Sequence, residues 1–233
     1  MVTTSFLMVD GNIRNLQGHI DRLEKAAPTA PQFRERIIAQ LREAPGSVQA
    51  SVTIENNHYN VELRPPRKLN AHVTVDAHGH RDERRHPNIK GLDHAWQNTA
   101  TANSRRQGAD DGLLVDESGQ VIMAIGASLL AIKGDTVFHS THPRSLPSVL
   151  EAPVVEYLQA QGCHAKPRPQ GFNINDLRSS EVWLVDSLSG IRQVVAWVEY
   201  GSKFPVSEIR PVASFVPTFS EVNDHLWKNA QQI

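Results

Sequence analysis

Cysteine is nearly absent from this sequence. Cys163 is the only one in 233 residues, so no internal disulfide can form, and a reducing, cytoplasmic setting is the expectation. An excess of one charge is missing too. Lys and Arg number 24 against 25 Asp and Glu, for a net charge of −1. That balance offers no field for a nucleic-acid groove or an anionic membrane surface. Aromatic residues make up only 6% of the chain; Trp183 and Trp197 fall in strand-like runs and read as core or interface residues. No apolar run approaches the ~20 residues that span a bilayer. The opening MVTTSFLMVDG has no basic residue ahead of its apolar run, which Asp10 breaks, so it does not read as a signal peptide. There is no internal repeat and no low-complexity tract. What remains, 39% hydrophobic and 21% charged, is enough for one large domain or two small ones.

The pattern is mixed α and β. TTSFLMV reads as a strand, with Asp10-Gly11 as a turn. QGHIDRLEKAA has helical spacing that places Ile20, Leu23 and Ala27 on one face, and APQFRERIIAQLREA repeats that period up to Pro45-Gly46. Three strand-like runs follow: SVQASVTIE, HYNVELR and NAHVTVDA. HGHRDERRHPN, residues 78–88, is charged and reads as an irregular linker. Two lobes are therefore expected, 1–88 including that linker and 89–233. In the second lobe LDHAWQNTATANSRRQG is a helix closed by Gly108. DGLLVDESGQVIMAIGASLLAIKGDTVFHS is a set of short strands. SLPSVLEAPVVEYLQAQG is a helix, NINDLRSS a short one, EVWLVDSLSGIRQVVAWVEY two strands about a turn, and TFSEVNDHLWKNA an amphipathic helix.

The order of several small motifs carries more than any one of them. His-x-x-Arg-Leu (His19, Arg22, Leu23) lies on the first helix. Ile-Lys-x-Leu surrounds Lys90, and a helix runs on to Gly-Ala-Asp at 108–110. Leu-Leu-Val-Asp-x-x-Gly spans 113–119, Ser-Leu-Pro-x-Val opens at 145, and Val-Asp-Ser-Leu-x-Gly-Ile spans 185–191. This series resembles the class IV aminotransferase family, the fold-type-IV pyridoxal-phosphate enzymes, over nearly the whole chain. Residues 90–94 and 187–192 look closest to the aminodeoxychorismate lyase-like branch. The resemblance implies an α/β (α+β) two-lobe fold, pyridoxal 5'-phosphate as cofactor, an amino-acid-like small-molecule substrate, a homodimer, and lyase or aminotransferase activity.

The same resemblance assigns roles. Lys90 matches the lysine that forms an imine with the cofactor aldehyde; an amine is nucleophilic only when neutral, so its site must lower its pKa. Arg22 matches the phosphate-binding arginine, whose guanidinium grips phosphate in a bidentate way; an exposed arginine paired with Asp21 or Glu24 is the alternative. Ser148, Val149 and Leu150, with Ser187 and Leu188, match the remaining phosphate contacts, where backbone N–H groups bind anions; ordinary helix and turn capping is the alternative. Pro147 suits a first-turn position.

Four departures stand out. Met123 lies where the family has a glutamate that keeps the cofactor's ring nitrogen protonated, and a thioether cannot do that by charge; as a plain core residue Met123 fits an apolar gap. Leu150 lies where the family has a threonine. The family's tyrosine near the cofactor hydroxyl has no match, leaving His94 or Asp93 to stand in or simply to begin a helix. Members also usually carry a strand and a Gly-rich loop ahead of the segment matching TTSFLMV, so the first lobe is expected to lack them. His78, His80, Asp82, Glu83 and His86 form only a loose ligand-like cluster, and no metal is expected. Cys163 and His164 are sequence neighbours that do not face each other as a catalytic pair requires. A cofactor-dependent enzyme, a degenerate homologue that keeps the fold and binds a phosphate compound, and an unrelated α+β binding protein are the three readings these residues leave open.

Overall fold

Alternation sets the first strand. In β1 (Val2–Val9), Phe6 and Met8 point into the core while Ser5, Leu7 and Val9 are half-buried, the two-residue period of a pleated strand. The computed structural model describes residues 1–233. A tight turn at Asp10-Gly11 leads to β2 (Asn12–Ile13). Then α1 (Leu16–Ala26) starts at Asn15, whose side chain accepts from the Gly18 N–H at 3.2 Å. Its inner stripe is Leu16, His19, Leu23 and Ala27. Ile20, expected there, lies at the margin because His19 takes the inner place: its ring packs tilted against Phe6, centroids 4.8 Å apart, and its Nδ1 lies 2.6 Å from the Thr4 hydroxyl. The helix expected over 30–44 splits into a short 3-10 turn (Ala30–Phe33), with Pro31 near its start, and α2 (Arg34–Arg42). The hairpin of β3 (Val48–Glu55) and β4 (His58–Arg64) turns on Asn56-Asn57, both at positive φ. β1 pairs with β3 over Val2–Met8 but with β2 only at Met8 and Val9. Most of its second edge is therefore open.

The second sheet begins earlier than residue 89. β5 (His72–Arg81) runs through the first part of the charged segment, and pairs with strands of the second sheet. His78–Arg81 is strand rather than irregular linker, because β5 bulges between Asp76 and His80 and then resumes pairing with Leu114 and Val115. The sheets change over between Arg64 and His72. After β5 come α3 (His94–Arg106), β6 (Asp111–Val115), β7 (Val121–Ala124), β8 (Ser128–Lys133), β9 (Thr136–Ser140), α4 (Glu151–Ala160), β10 (His164–Arg168), α5 (Ile174–Arg178), β11 (Glu181–Asp186), β12 (Gly190–Glu199), β13 (Ser202–Pro205), α6 (Phe219–Lys228) and β14 (Gln231–Gln232). The order is β10-β9-β8-β11-β12-β5-β6-β7, with β13 added to β12, while β14 returns to the first sheet beside β2.

Successive residues of β11 face opposite sides. Trp183 packs under α4 and α6 with Leu158 and Val222, and Leu184 packs on the other side with Leu129 and Trp197. A third, smaller cluster, Ala100, Leu114, Ile122, Met123 and Ile125, lies beneath α3. No helix is long and apolar enough to cross a membrane. α4 starts six residues later than the expected 145. Ahead of it the backbone bonds sideways instead: the Pro147 carbonyl accepts from Arg22 and the Ser148 N–H donates to Ser128 Oγ at 2.7 Å.

Candidate active site

Lys90 sits on a short segment tied down at both ends. Its carbonyl accepts from the Thr3 N–H at 2.9 Å, on the open edge of β1. Three residues on, the Asp93 carboxylate accepts from the N–H groups of Arg85 and His86 at 3.0 and 2.8 Å. Asp93 therefore braces the loop; it makes no side-chain cap on α3. Between these ties Gly91 has φ +117°, and a Cβ there would lie 2.9 Å from Thr3 Oγ1. Both backbone angle and space demand glycine. Gly91→Ala is expected to cost about 1–3 kcal/mol and to displace Lys90; thermal melting and the rate at which Lys90 captures an aldehyde check both effects.

The side chain of Lys90 enters a cleft of about 220 Å³ between the lobes. Six of the residues expected from the sequence meet on its walls: Lys90, Arg22, His94, Met123, Ser148 and Ser187. Burial pushes the Lys90 amine down to about 8, Arg22 adds to that, and Asp186 opposes it. Burial also lowers the His94 imidazole, and the Lys90 charge lowers it further. His19, fully enclosed behind the cleft, is held well below its ordinary value by burial and by the cations Lys90, Arg22 and Arg14. It is a neutral imidazole in a positive field. Such a field favours an anion, and a desolvated amine near pKa 8 is neutral often enough at pH 7 to attack a carbonyl.

The anion corner has three parts. Arg22 makes no ion pair with Asp21 or Glu24; it reaches across to the Pro147 carbonyl, and Asp21 accepts from Gln17 instead. The Ser148 hydroxyl accepts from the Leu150 N–H at 3.2 Å, which leaves its proton to donate. The buried Ser187 donates its hydroxyl to the Ser5 carbonyl at 2.5 Å, and its own carbonyl accepts from the Leu7 N–H at 3.4 Å. The N–H groups of Ser187 and Val149 meet no protein acceptor. Val149 lines the neighbouring depression that shares Arg22, Lys90 and Ser148 with the cleft. The Leu150 and Leu188 amides, expected to contact phosphate, are already engaged: Leu150 by Ser148 Oγ, and Leu188 by Asp186 Oδ1 at 2.9 Å. Leu150 itself is fully buried in the core. Arg14 fixes the turn from below, donating to the Ser187 and Leu188 carbonyls at 3.3 and 2.9 Å.

The remaining wall holds a residue from the charged segment expected to be an irregular linker. Arg84 is buried. Its Nε and Nη2 reach the two oxygens of Asp82 at 2.8 and 2.9 Å, and Arg144 Nε adds a third contact to Asp82 at 2.8 Å. Burial alone would raise the Asp82 carboxyl; Arg84 and Arg144 together hold it below its ordinary value. Arg84 Nη1 points at Met123 Sδ, 3.7 Å away, and the Leu146 N–H approaches the same sulfur at 3.4 Å. Asp186 also lines the cleft, though the sequence marks it only as part of Val-Asp-Ser-Leu. It accepts from the Leu188 and Ser189 N–H groups and pairs with Arg192 at 3.3 Å. An Asp-x-Arg alternation at 82–84 was the available signal for Arg84, since residues two apart on extended backbone share a side. His80, part of the loose ligand-like cluster, bonds instead to Ser104 Oγ at 2.8 Å.

Solved structures share this fold. A fold-IV transaminase from Curtobacterium pusillum is 19% identical with a TM-score of 0.74, covering 97% of this chain and 85% of its own. The PLP-bound form of a hypothetical aminotransferase from Mycobacterium tuberculosis is 18% identical with a TM-score of 0.73, over 97% and 88%. The 4-amino-4-deoxychorismate lyase from Pseudomonas aeruginosa is 17% identical with a TM-score of 0.70, over 98% and 90%. No curated protein matches. At these identities the likeness establishes the fold-type-IV architecture. The family model for amino-transferase class IV matches residues 1–197, most of the chain and every cleft residue named above, and the chain belongs to the class IV aminotransferases.

Proposed function

We propose that this protein is a lyase or aminotransferase of the aminodeoxychorismate lyase-like kind, acting on an amino-acid-like small molecule with Lys90 as its covalent anchor. Pyridoxal phosphate is the family's cofactor. The cleft suits two of its ends: a lowered amine for the aldehyde, and Arg22 with the Ser148 hydroxyl and the unpartnered Ser187 and Val149 N–H groups for the phosphate. Bound there, the cofactor supplies an electrophilic carbon and an electron-withdrawing ring. The chain's own residues do the rest. Lys90 Nζ holds the cofactor and, once released, takes and returns protons. Arg22 neutralises the phosphate. Neutral His94 offers a hydrogen bond beside Lys90 in place of the missing tyrosine. The single observation that carries this reading is the meeting of Lys90, Arg22 and the Ser187 turn in one cleft. A homodimer in the cytoplasm completes it.

The test is direct. Purified protein is mixed with pyridoxal phosphate, its visible absorption followed, and the mixture reduced with borohydride and mapped by peptide. A new band with the label on Lys90 is the expected result. No band, or label scattered over surface lysines, would refute the reading. One observation favours a second reading, a protein that keeps the site but turns over little: a thioether beside a guanidinium forms the wall where the family carries an acid. Label on Lys90 without turnover of any amino donor or lyase substrate would select it.

A further inference from the structure

The wall around Met123 is unusual in what converges on it. A thioether is a weak acceptor. Yet two N–H donors aim at this one sulfur: Arg84 Nη1 at 3.7 Å and the Leu146 backbone at 3.4 Å. Both donors lie on the cleft side of a braced cluster. Arg84 is fixed by Asp82 and donates to the Arg144 and Pro87 carbonyls at 2.6 and 3.3 Å. Arg144 in turn donates to the Asp82 and Arg84 carbonyls at 3.1 and 2.7 Å. Two guanidinium groups share one carboxylate, so the cluster keeps a net positive charge.

The acids in the cleft are Asp93 and Asp186. Asp93 is held by two backbone N–H groups, and Asp186 by two more and by Arg192. Neither is free to pair with a cation on the Met123 wall. A group arriving there meets donors and a positive charge. A guanidinium cannot give up its proton near neutral pH, so it can serve a ring nitrogen only if that nitrogen brings its lone pair.

We infer that Arg84, across the Met123 sulfur, is the residue that faces the cofactor's ring nitrogen, and that it keeps this nitrogen unprotonated. This rests on the proposed anchoring at Lys90: in pyridoxal phosphate the nitrogen is para to the aldehyde carbon, so it points away from Lys90. The long, unbranched Met123 side chain is mobile enough to yield to a flat ring. Without a ring proton the ring withdraws electrons less strongly. The site is therefore tuned for a reaction needing little help from the ring, and Arg84 is a positioning residue whose charge sets the cofactor's protonation state.

The experiment uses the full chain loaded with pyridoxal phosphate labelled with 15N in the ring, titrated by NMR from pH 10 to pH 5 beside the free cofactor. The expected result is a ring-nitrogen signal that stays in the unprotonated range throughout, while the free cofactor titrates. In Met123→Glu, which leaves the Asp82 cluster intact, the signal is expected in the protonated range at pH 7. In Arg84→Gln the nitrogen is expected to titrate again; if that variant does not fold, the first two measurements decide alone. A wild-type signal that is protonated at pH 7, or that titrates like free cofactor, overturns the inference while leaving Lys90 anchoring intact. Failure of the cofactor to bind at all overturns both, and borohydride labelling of Lys90 in the same sample tells the two failures apart.

Discussion

Asp82→Ala is expected to lower the unfolding free energy by about 3–5 kcal/mol, because breaking a buried pair strands the remaining charge. The Asp82 side chain is 1% exposed and that of Arg84 2%. Removing the carboxylate leaves Arg84 without a counter-ion in the interior, while Arg144, 36% exposed, can turn to water. Asp82→Asn keeps the acceptor on one side and is expected to lose about half as much. The pH dependence has a definite sign. The folded carboxyl sits below its unfolded value of 3.8, so its contribution is complete above that value and is lost as pH falls through the folded pKa. Chemical denaturation of wild type and variant is expected to show a constant gap from pH 6 to 8 that closes in acid. A constant gap down to the lowest pH would mean that the carboxylate's charge is not what holds Arg84.

Lys90→Met is expected to do two opposite things. Covalent capture of the cofactor disappears, and the apoprotein becomes more stable. Wild-type Lys90 carries a desolvation cost because its amine is held at about 8 instead of 10.5. Below pH 8 both folded and unfolded chains are protonated there and the cost is present in full. Between pH 8 and 10.5 the unfolded chain binds the extra proton, so wild-type stability rises with pH across that window. At pH 7 a cost of about 3 kcal/mol corresponds to roughly 6–12 °C in melting temperature for a chain of this length. Calorimetry of the apoprotein checks the gain, and its shrinkage as pH climbs past 8 checks the cause. Capture by wild type should rise through the same pH, because only the neutral amine attacks. Equal melting temperatures at pH 7 would mean that Lys90 is better solvated than its surroundings indicate.

Periodicity made the scaffold readable. The alternation in TTSFLMV, the Asn56-Asn57 turn and the 3.6-residue spacing of the helices are local signals, and local backbone geometry answers to them. Lys90 stands out in the sequence for a different reason: its motif takes its place in an ordered series of others spread along the chain. The misses come from interactions that apolar patterning does not record. HGHRDERRHPN looks solvated, yet Arg84 is buried there because Asp82 neutralises it from two positions away. The segment 145–150 has helical composition, but Arg22 and Ser128, more than a hundred and twenty and twenty residues upstream, take its backbone groups first. His19 went unremarked as a core residue for the same reason, since its partner Thr4 lies on another element. Met123 was located, but that two donors aim at its sulfur became visible only in three dimensions.

The open edge of β1 joins the two lobes through Thr3, Ser5 and Leu7, and in every case β1 contributes a main-chain atom: the N–H of Thr3 and Leu7, the carbonyl of Ser5. Side chains at Ser5 and Leu7 can change without altering the seam, while that of Thr3 is limited by its closeness to Gly91. A shift of one residue cannot be absorbed so easily, because it exchanges odd for even positions and turns every one of those groups toward β3. The junction that places Lys90 and Ser187 is thus written in counting rather than in spelling. Substitutions that keep clear of Gly91 leave it standing, whereas a single insertion or deletion between Thr3 and Leu7 takes it apart.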